Sequence, residues 1–224
     1  MPKLSPADFI SKFYPDAISV TKGTNLFPET LVIQAAWESG WGGSSHAEPT
    51  INNFFGIKAN SSWNGKVVSS TTYEVLSGVR QKFVGTGRIY GNRQQAINAG
   101  AHPQTLFRVY STAQDGLKGW VSFLQDNPRY KQAGVFSAKN PPEQFAALKK
   151  AGYATATNYT ASLTGLLKSH QSKFDAIIAD IASASSDAIS MGDVTLGTKV
   201  VNVWPVVIVG LALSFTGAVV YLKS

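Results

Sequence analysis

The sequence contains no cysteine, so neither a disulfide framework nor thiolate chemistry is available to it. Histidine is nearly as scarce. His46, His102 and His170 stand far apart, without the short helical spacing that presents two ligands to one metal ion. We therefore expect no metal site held by the protein, and no pattern implies an organic cofactor.

Acidic residues are also few, with 13 Asp and Glu against 20 Lys and Arg, which gives a formal net charge of +7. A basic balance suits nucleic acid, an anionic membrane or the acidic polymers of a cell wall. The basic residues are scattered, with no basic run and no recognisable nucleic-acid motif. Nucleic acid is therefore not expected as a partner.

Charge is absent from one long stretch near the C-terminus, residues 200–222. At about 1.5 Å per residue this stretch reaches roughly 34 Å, enough for the hydrocarbon core of a bilayer. It predicts a transmembrane helix and a membrane location. Residues 182–199 are small and polar and read as a flexible linker, which leaves residues 1–181 as the working domain. The N-terminus lacks the continuous apolar core of a signal peptide.

Helical signals dominate the working domain. Pro28 can begin a helix, apolar residues follow on one stripe, and Gly40 can end it. A capping-box pattern, "STAQ" at 111–114, precedes a second apolar stripe that stops before Pro128. A last long helix is expected to begin at Asn158.

One region has the residue pattern of β-strands rather than of helices. The stretch "KVVSSTTYEV", residues 66–75, is rich in Val, Thr and Tyr and predicts a strand or hairpin, with residues 82–91 as its partner. The expected fold class is therefore α+β, mostly helical with a small β part.

Only six carboxylates fall between residues 20 and 130, and Glu38 has the most unusual surroundings among them. It lies within "AAWESGWGG", residues 35–43, at the margin of an apolar stripe and in the last turn of the expected helix. Desolvation and the negative end of a helix dipole both raise a carboxyl pKa, as a general acid near neutral pH requires. A surface glutamate that happens to follow a tryptophan fits the spacing equally well.

A second carboxylate, Glu74, lies in the strand-like stretch. Alone it reads as an exposed strand residue, whereas paired with a helical acid it could flank a glycosidic bond. Between the two lies "NNFFGIKA", residues 52–59, where amides can bind hydroxyls, phenyl rings can pack on sugar faces and Gly56 permits close approach. A loop anchored by two core phenylalanines is the alternative.

Five motifs follow one another along the chain: "AAWESGWGGS", "NNFFGIKA", "SWNGKVVSSTTYEV", "GWVSFLQDNPRY" and "GYATATNYTASLTGLL". Over roughly residues 5–170 the chain resembles bacterial and phage peptidoglycan N-acetylglucosaminidases, the flagellar-rod and autolysin type of glycoside hydrolase. The resemblance implies a lysozyme-like α+β fold with a groove between a helical lobe and a β lobe, and peptidoglycan as the substrate.

The resemblance also implies roles for individual residues. Glu38 matches the catalytic general acid, Glu74 the second acidic residue, acting as base or stabiliser, and Tyr153 a tyrosine that helps to position substrate. The implied substrate-binding set is Trp41, Asn53, Phe54, Phe55, Gly56, Trp63 and Tyr159. The last motif departs from the family pattern, with Ala156 and Thr157 where Asp and Pro are usual, and residues 77–107 are elaborated relative to the family's β lobe.

The expected reaction is hydrolysis of the β-1,4 bond on the reducing side of N-acetylglucosamine. A C-terminal anchor without a signal peptide favours the membrane of a phage virion, with the bacterial inner membrane as the other location. Three alternatives stay open: a muramidase or lytic transglycosylase of the same fold, a non-catalytic wall-binding module, and a structural membrane protein of a virion.

Overall fold

The computed structural model describes residues 3–190, with side chains described to residue 184. The helices are α1 (Pro6–Thr21), α2 (Pro28–Ser39), α3 (Arg93–Asn98), α4 (Ala113–Asp126), α5 (Pro128–Ala133), α6 (Pro141–Lys150), α7 (Tyr159–Ser169) and α8 (Gln171–Ser190). The strands are β1 (Val67–Ser69), β2 (Thr72–Leu76), β3 (Val79–Phe83), β4 (Ile89–Tyr90) and β5 (Leu106–Arg108). The α+β class is therefore confirmed.

Helix α2 is the central element of the helical part. Pro28 occupies its first turn, and Gly40, with a φ of 58°, ends it in the left-handed region, as predicted. All residues from Thr30 to Ala36 are buried, because α1, α6 and α7 pack around the helix. The stripe predicted for one face is thus buried on all sides, and the exposed side chains of α2, Trp37 and Glu38, lie in its last turn.

The β part consists of two small antiparallel sheets. Strand β1 is the middle strand of one sheet, with the order β4-β1-β5, and Val67 pairs with Tyr90 on one side and Arg108 on the other. The predicted strand region therefore exists, but it breaks after Ser69, because β2 leaves this sheet and pairs with β3.

Strands β2 and β3 form a hairpin of their own. Glu74 lies opposite Gln81 in its ladder, and most side chains of both strands are exposed. Ser77 and Gly78 form the two-residue turn, with φ values of 51° and 80°. Left-handed φ at both central residues is what a tight hairpin turn of this length requires.

Two helix boundaries differ from the sequence-based prediction. The capping box of α4 is formed by Thr112 and Asp115, one residue later than predicted, which places a carboxylate in the positive first turn of the helix. The long last helix is interrupted at His170, which caps α7 before α8 begins. The ring of His170 packs edge-on against Trp41, with centroids 5.5 Å apart.

No helix within residues 3–190 combines the length and the apolar character needed to cross a membrane. The longest, α8, carries Lys173, Asp175 and Asp180, and charges of this density are costly in a hydrocarbon core. The prediction of a fold that includes a transmembrane helix, and of a membrane location, is corrected accordingly: the structure supports an α+β fold alone. Residues 200–222, on which both predictions rested, lie outside the described residues. Helix α8 continues to Ser190, into the segment predicted as a linker.

Candidate active site

The end of α2 delivers Glu38 to the protein surface. Directly after the helix, Gly40, Trp41 and Gly42 all have positive φ values, of 58°, 62° and 78°. The backbone N–H of Trp41 donates to the carbonyl of Ala36 at 2.8 Å, which closes the helix end. The chain therefore turns back immediately behind the glutamate, and Glu38 occupies the last turn, where the helix dipole disfavours a negative charge.

Glu38 lies on the wall of an open cavity of about 460 Å³ between the helical part and the β part. A volume of this size is typical of small-molecule and oligosaccharide sites. Residues from the β side are Phe55, Gly56, Ile57, Lys58, Asn60, Ser62 and Arg108. Residues from the helical side, besides Glu38, are Phe123, Asp126, Asn127, Arg129, Tyr130 and Tyr153.

The surroundings of Glu38 favour its protonated form. Loss of solvation raises the pKa of this carboxyl, and a hydrogen bond from Tyr159 partly offsets the rise. Part of the side chain remains open to solvent, so the increase is smaller than that of a fully enclosed carboxyl. A carboxyl whose protonated form is favoured and that still faces open space is suited to donate its proton to a ligand.

Two tyrosines from the segment before and at the start of α7 approach this carboxyl. Tyr159 is 2% exposed, and its hydroxyl donates to Glu38 Oε1 at 3.4 Å. Tyr153 lines the cavity, with its ring 6.2 Å from that of Tyr130. Burial, followed by the negative charge of Glu38, raises the pKa of both phenols. Both therefore remain hydrogen-bond donors at neutral pH.

Glu74 lies next to the cavity rather than on its wall. Its Oε1 forms an ion pair with Lys58 Nζ at 2.7 Å, and Lys58 is a wall residue. The ammonium of Lys58 holds the pKa of Glu74 below its ordinary value, with a hydrogen bond from Thr72 acting in the same direction. The structure therefore gives the two candidate carboxyls opposite tendencies, Glu38 toward the neutral form and Glu74 toward the ionised form.

Several cavity residues were not found from the sequence. Asp126 and Arg129 flank the bend between α4 and α5, where Asn127 and Pro128 separate the two helices. Arg108 lies on β5, far from Glu38 in the sequence. The "NPRY" stretch was visible as a helix stop, but its side chains could be assigned to a cavity only once α4 and α5 were placed. No cluster of His, Asp and Glu suited to a metal ion occurs in the part of the chain that the structure describes.

Comparison with known proteins identifies the family. A family model described as mannosyl-glycoprotein endo-beta-N-acetylglucosaminidase matches residues 14–172. The chain belongs to this glucosaminidase family. It is 33% identical over 158 residues to the peptidoglycan hydrolase FlgJ of Vibrio parahaemolyticus, an alignment that covers 69% of this chain and 44% of that protein. The chain thus spans less than half the length of this relative.

Two solved structures of peptidoglycan or glycoside hydrolases have the same fold. The C-terminally truncated glycoside hydrolase domain of Salmonella typhimurium FlgJ matches with a TM-score of 0.54 and 31% identity, over 75% of this chain and 99% of that one. A mutant peptidoglycan hydrolase from Sphingomonas sp. A1 matches with a TM-score of 0.56 and 26% identity, over 75% of this chain and 97% of that one.

The remaining family-motif residues divide into wall residues and supporting residues. Phe55 and Gly56 line the cavity, and Phe55 stacks on Trp120 with ring centroids 5.4 Å apart. Asn53 is fully buried: its amide donates to the carbonyls of Ile57 and Arg108 at 2.9 Å, and its oxygen accepts from the Ile57 N–H. Asn53 therefore holds the loop that forms the wall.

Three other members of the predicted set also lie outside the cavity wall. Phe54 is buried in the helical core against Phe13. Trp41 packs partly buried beneath the helix end, with its ring 5.6 Å from Phe9. Trp63 lies behind Arg108, whose guanidinium carbon is 4.7 Å from the centre of the indole.

Proposed function

We propose that this chain hydrolyses the β-1,4 glycosidic bond on the reducing side of N-acetylglucosamine in peptidoglycan, with Glu38 as the general acid. The observation that carries the proposal is a carboxyl of raised pKa on the wall of an open cavity, in a chain of the glucosaminidase family. The activity named for its FlgJ relatives supports peptidoglycan as the substrate class.

In the proposed reaction Glu38 transfers its proton to the glycosidic oxygen as the bond from that oxygen to the anomeric carbon breaks. A nearby carboxylate stabilises the positive charge that develops on the sugar. Water then adds to the anomeric carbon and gives up a proton. If Glu74 receives that proton, the configuration inverts. If the acetamido oxygen of the substrate first closes on the anomeric carbon, the ionised Glu38 takes the proton from water and the configuration is retained.

The surrounding residues take the following parts in this proposal. Tyr153, Phe55 and Gly56 contact the sugar in the cavity, and Tyr159 orients the carboxyl of Glu38. Asn53 and Phe54 shape the wall from behind. Trp41 supports the helix end, and Trp63 supports Arg108. Glu74, held ionised by Lys58, acts as base or as stabiliser of the positive charge.

The virion setting expected from the sequence depended on the transmembrane helix. With that prediction corrected, no observation on the described residues supports a phage virion or a membrane as the location. We therefore propose the reaction without a cellular location.

The decisive experiment digests purified peptidoglycan with the full chain, reduces the products with borohydride and identifies their ends by mass spectrometry. We expect reduced N-acetylglucosamine ends from the wild type and none from Glu38→Gln. Glu48→Gln is the matched control, because Glu48 is exposed and is not a cavity residue; it should digest like the wild type.

Other outcomes would redirect the proposal. Reduced muramic acid ends would indicate a muramidase, and anhydro ends a lytic transglycosylase. A folded protein that releases no product would indicate a binding or structural role. Turnover by Glu38→Gln at the wild-type rate would remove Glu38 as the acid.

A further inference from the structure

The cavity that contains Glu38 carries more positive than negative side chains. Three cations line it, Lys58, Arg108 and Arg129, against two carboxyls, Glu38 and Asp126. Lys58 is neutralised by its ion pair with Glu74 at 2.7 Å. Among the side chains described, residues 3–184, neither arginine has a carboxylate within ion-pairing distance, and Asp126, three residues before Arg129, is not paired with it. Loss of solvation favours the neutral form of Glu38, which shifts the charge of the cavity toward positive.

Arg108 is held in a fixed orientation on the β side. Its Nε donates to the carbonyl of Lys58 at 3.3 Å, and its guanidinium lies over Trp63. Trp63 is itself anchored, because its indole N–H donates to the carbonyl of Lys66 at 3.0 Å. Stacking on an aromatic face leaves the edge of a guanidinium available, which is the geometry for binding a carboxylate through two hydrogen bonds.

Arg129 is held in a similar way on the helical side. Its terminal nitrogen donates to the Tyr130 hydroxyl at 2.7 Å, and its guanidinium carbon lies 4.8 Å from the centre of the same ring. The residue is exposed on the cavity wall. Each wall therefore presents one oriented guanidinium that has further N–H donors available. Because the fold already orders both side chains, binding a carboxylate costs less conformational entropy.

We propose that Arg108 and Arg129 bind carboxylates of the substrate and thereby select N-acetylmuramoyl-containing strands over neutral N-acetylglucosamine polymers. This inference rests on the proposed function, since it assigns the substrate class of the same cavity. The carboxylate has two possible sources with one chemistry. One is the free lactyl group of a strand without peptide, and the other is the acidic side chains and C-terminus of the stem peptide.

The test measures equilibrium binding of soluble glycan strands to the full chain in a Glu38→Gln background, so that no turnover is needed. Three strand preparations are compared: strands with stem peptides, strands freed of peptide by an amidase, and the latter with the lactyl carboxylates converted to methylamides. Arg108→Gln and Arg129→Gln are added singly. Lys131→Gln is the matched control, because Lys131 is exposed on the same helix as Arg129 and is not a cavity residue.

We expect the parent to bind a carboxylate-bearing preparation more tightly than the methylamide strands, by about tenfold for each arginine, as one charge-assisted hydrogen-bonded contact at a partly exposed site provides. Each arginine substitution should remove its own factor of about tenfold and leave binding of the methylamide strands unchanged. Lys131→Gln should preserve it. The preparation whose binding the arginine substitutions weaken identifies the source of the carboxylate. A loss with peptide-bearing strands indicates the stem peptide, and a loss with peptide-free strands indicates the lactyl group.

The proposal is overturned if the arginine substitutions weaken binding of charged and methylamide strands equally, or if neither has an effect. It is also overturned if the parent binds no strand. Arg129→Gln keeps the test valid if Arg108→Gln proves unstable, because Arg129 is a surface residue. End-group analysis of the digest tests the proposed function separately, so the two failures are distinguishable.

Discussion

The hydrogen bond from Tyr159 to Glu38 allows the general-acid assignment to be tested by a shift in pH dependence. The bond lowers the pKa of Glu38, while burial raises it. Tyr159→Phe removes only the hydroxyl from a side chain that is 2% exposed, so the ring can keep its packing. Without the hydroxyl, the pKa of Glu38 should rise further.

The size of the shift follows from the geometry. The donor–acceptor distance of 3.4 Å is long for a hydroxyl donor, so the bond belongs at the low end of the usual net range, about 0.5 kcal/mol. Since 1.36 kcal/mol corresponds to one pKa unit, about 0.5 kcal/mol raises the pKa by roughly 0.4 unit. Glu38 is active in its protonated form, so the alkaline limb of kcat/KM against pH should move upward by about that amount.

The assay is the initial rate of peptidoglycan cleavage across a pH series, with Tyr14→Phe as the control. Tyr14 is a buried tyrosine whose hydroxyl donates to Glu29, a glutamate that does not line the cavity, so its removal should leave the alkaline limb in place. A limb that stays put or moves downward in Tyr159→Phe would show that the proton on Glu38 does not set the alkaline limb.

Four further substitutions are predicted to change stability. Gly116→Ala in α4 should lower the free energy of unfolding by about 2–3 kcal/mol, because the new Cβ would lie 2.0 Å from the Asn52 carbonyl oxygen. Gly165→Ala in α7, with nothing within 4 Å of its Cβ, should raise it by about 0.5–1 kcal/mol; equal effects in denaturant titrations would contradict this reasoning. Asn53→Ala should cost about 2–4 kcal/mol, since it leaves buried backbone groups of the wall loop unpaired, and an unchanged melting temperature would place Asn53 with the substrate instead. Glu38→Gln should raise the melting temperature at pH values above the folded-state pKa of Glu38, because burial raises that pKa and so penalises the ionised form that the amide replaces. The gain should vanish at pH values below the ordinary pKa of 4.5, where the carboxyl is protonated in both the folded and the unfolded state.

The part of the site that the sequence revealed is the part encoded by a single local element. Pro28 and Gly40 mark the bounds of α2 through their own backbone restrictions, so the position of Glu38 in its last turn followed from spacing alone. Phe55 and Gly56 belong to one short loop and reach the cavity together. Such local relations survive folding because neighbouring residues remain neighbours.

The part that the sequence did not reveal depends on contacts between distant segments. Asn53 has a side chain suited to sugar hydroxyls, but the carbonyls of Ile57 and Arg108 occupy its amide. Arg108 and Arg129 become cavity residues only because β5, α5 and the loop at Phe55 border the same cavity. Glu74 was predicted as the second carboxylate of the site; its ion pair with Lys58 could not be predicted from the sequence, and its part in the reaction stays a proposal. Polar side chains have several possible partners, and only tertiary packing selects among them.

The β2–β3 hairpin offers a place to modify this protein without disturbing its core. Its two strands pair only with each other in the described chain, and its side chains are mostly exposed. The turn at Ser77 and Gly78 lies at the outer end of the ladder, where extra residues lengthen a loop at a small entropic cost. Glu74 on the same hairpin contacts a wall residue of the cavity. A fluorophore inserted at this turn would therefore report on the hairpin while the helices and Glu38 keep their native sequence.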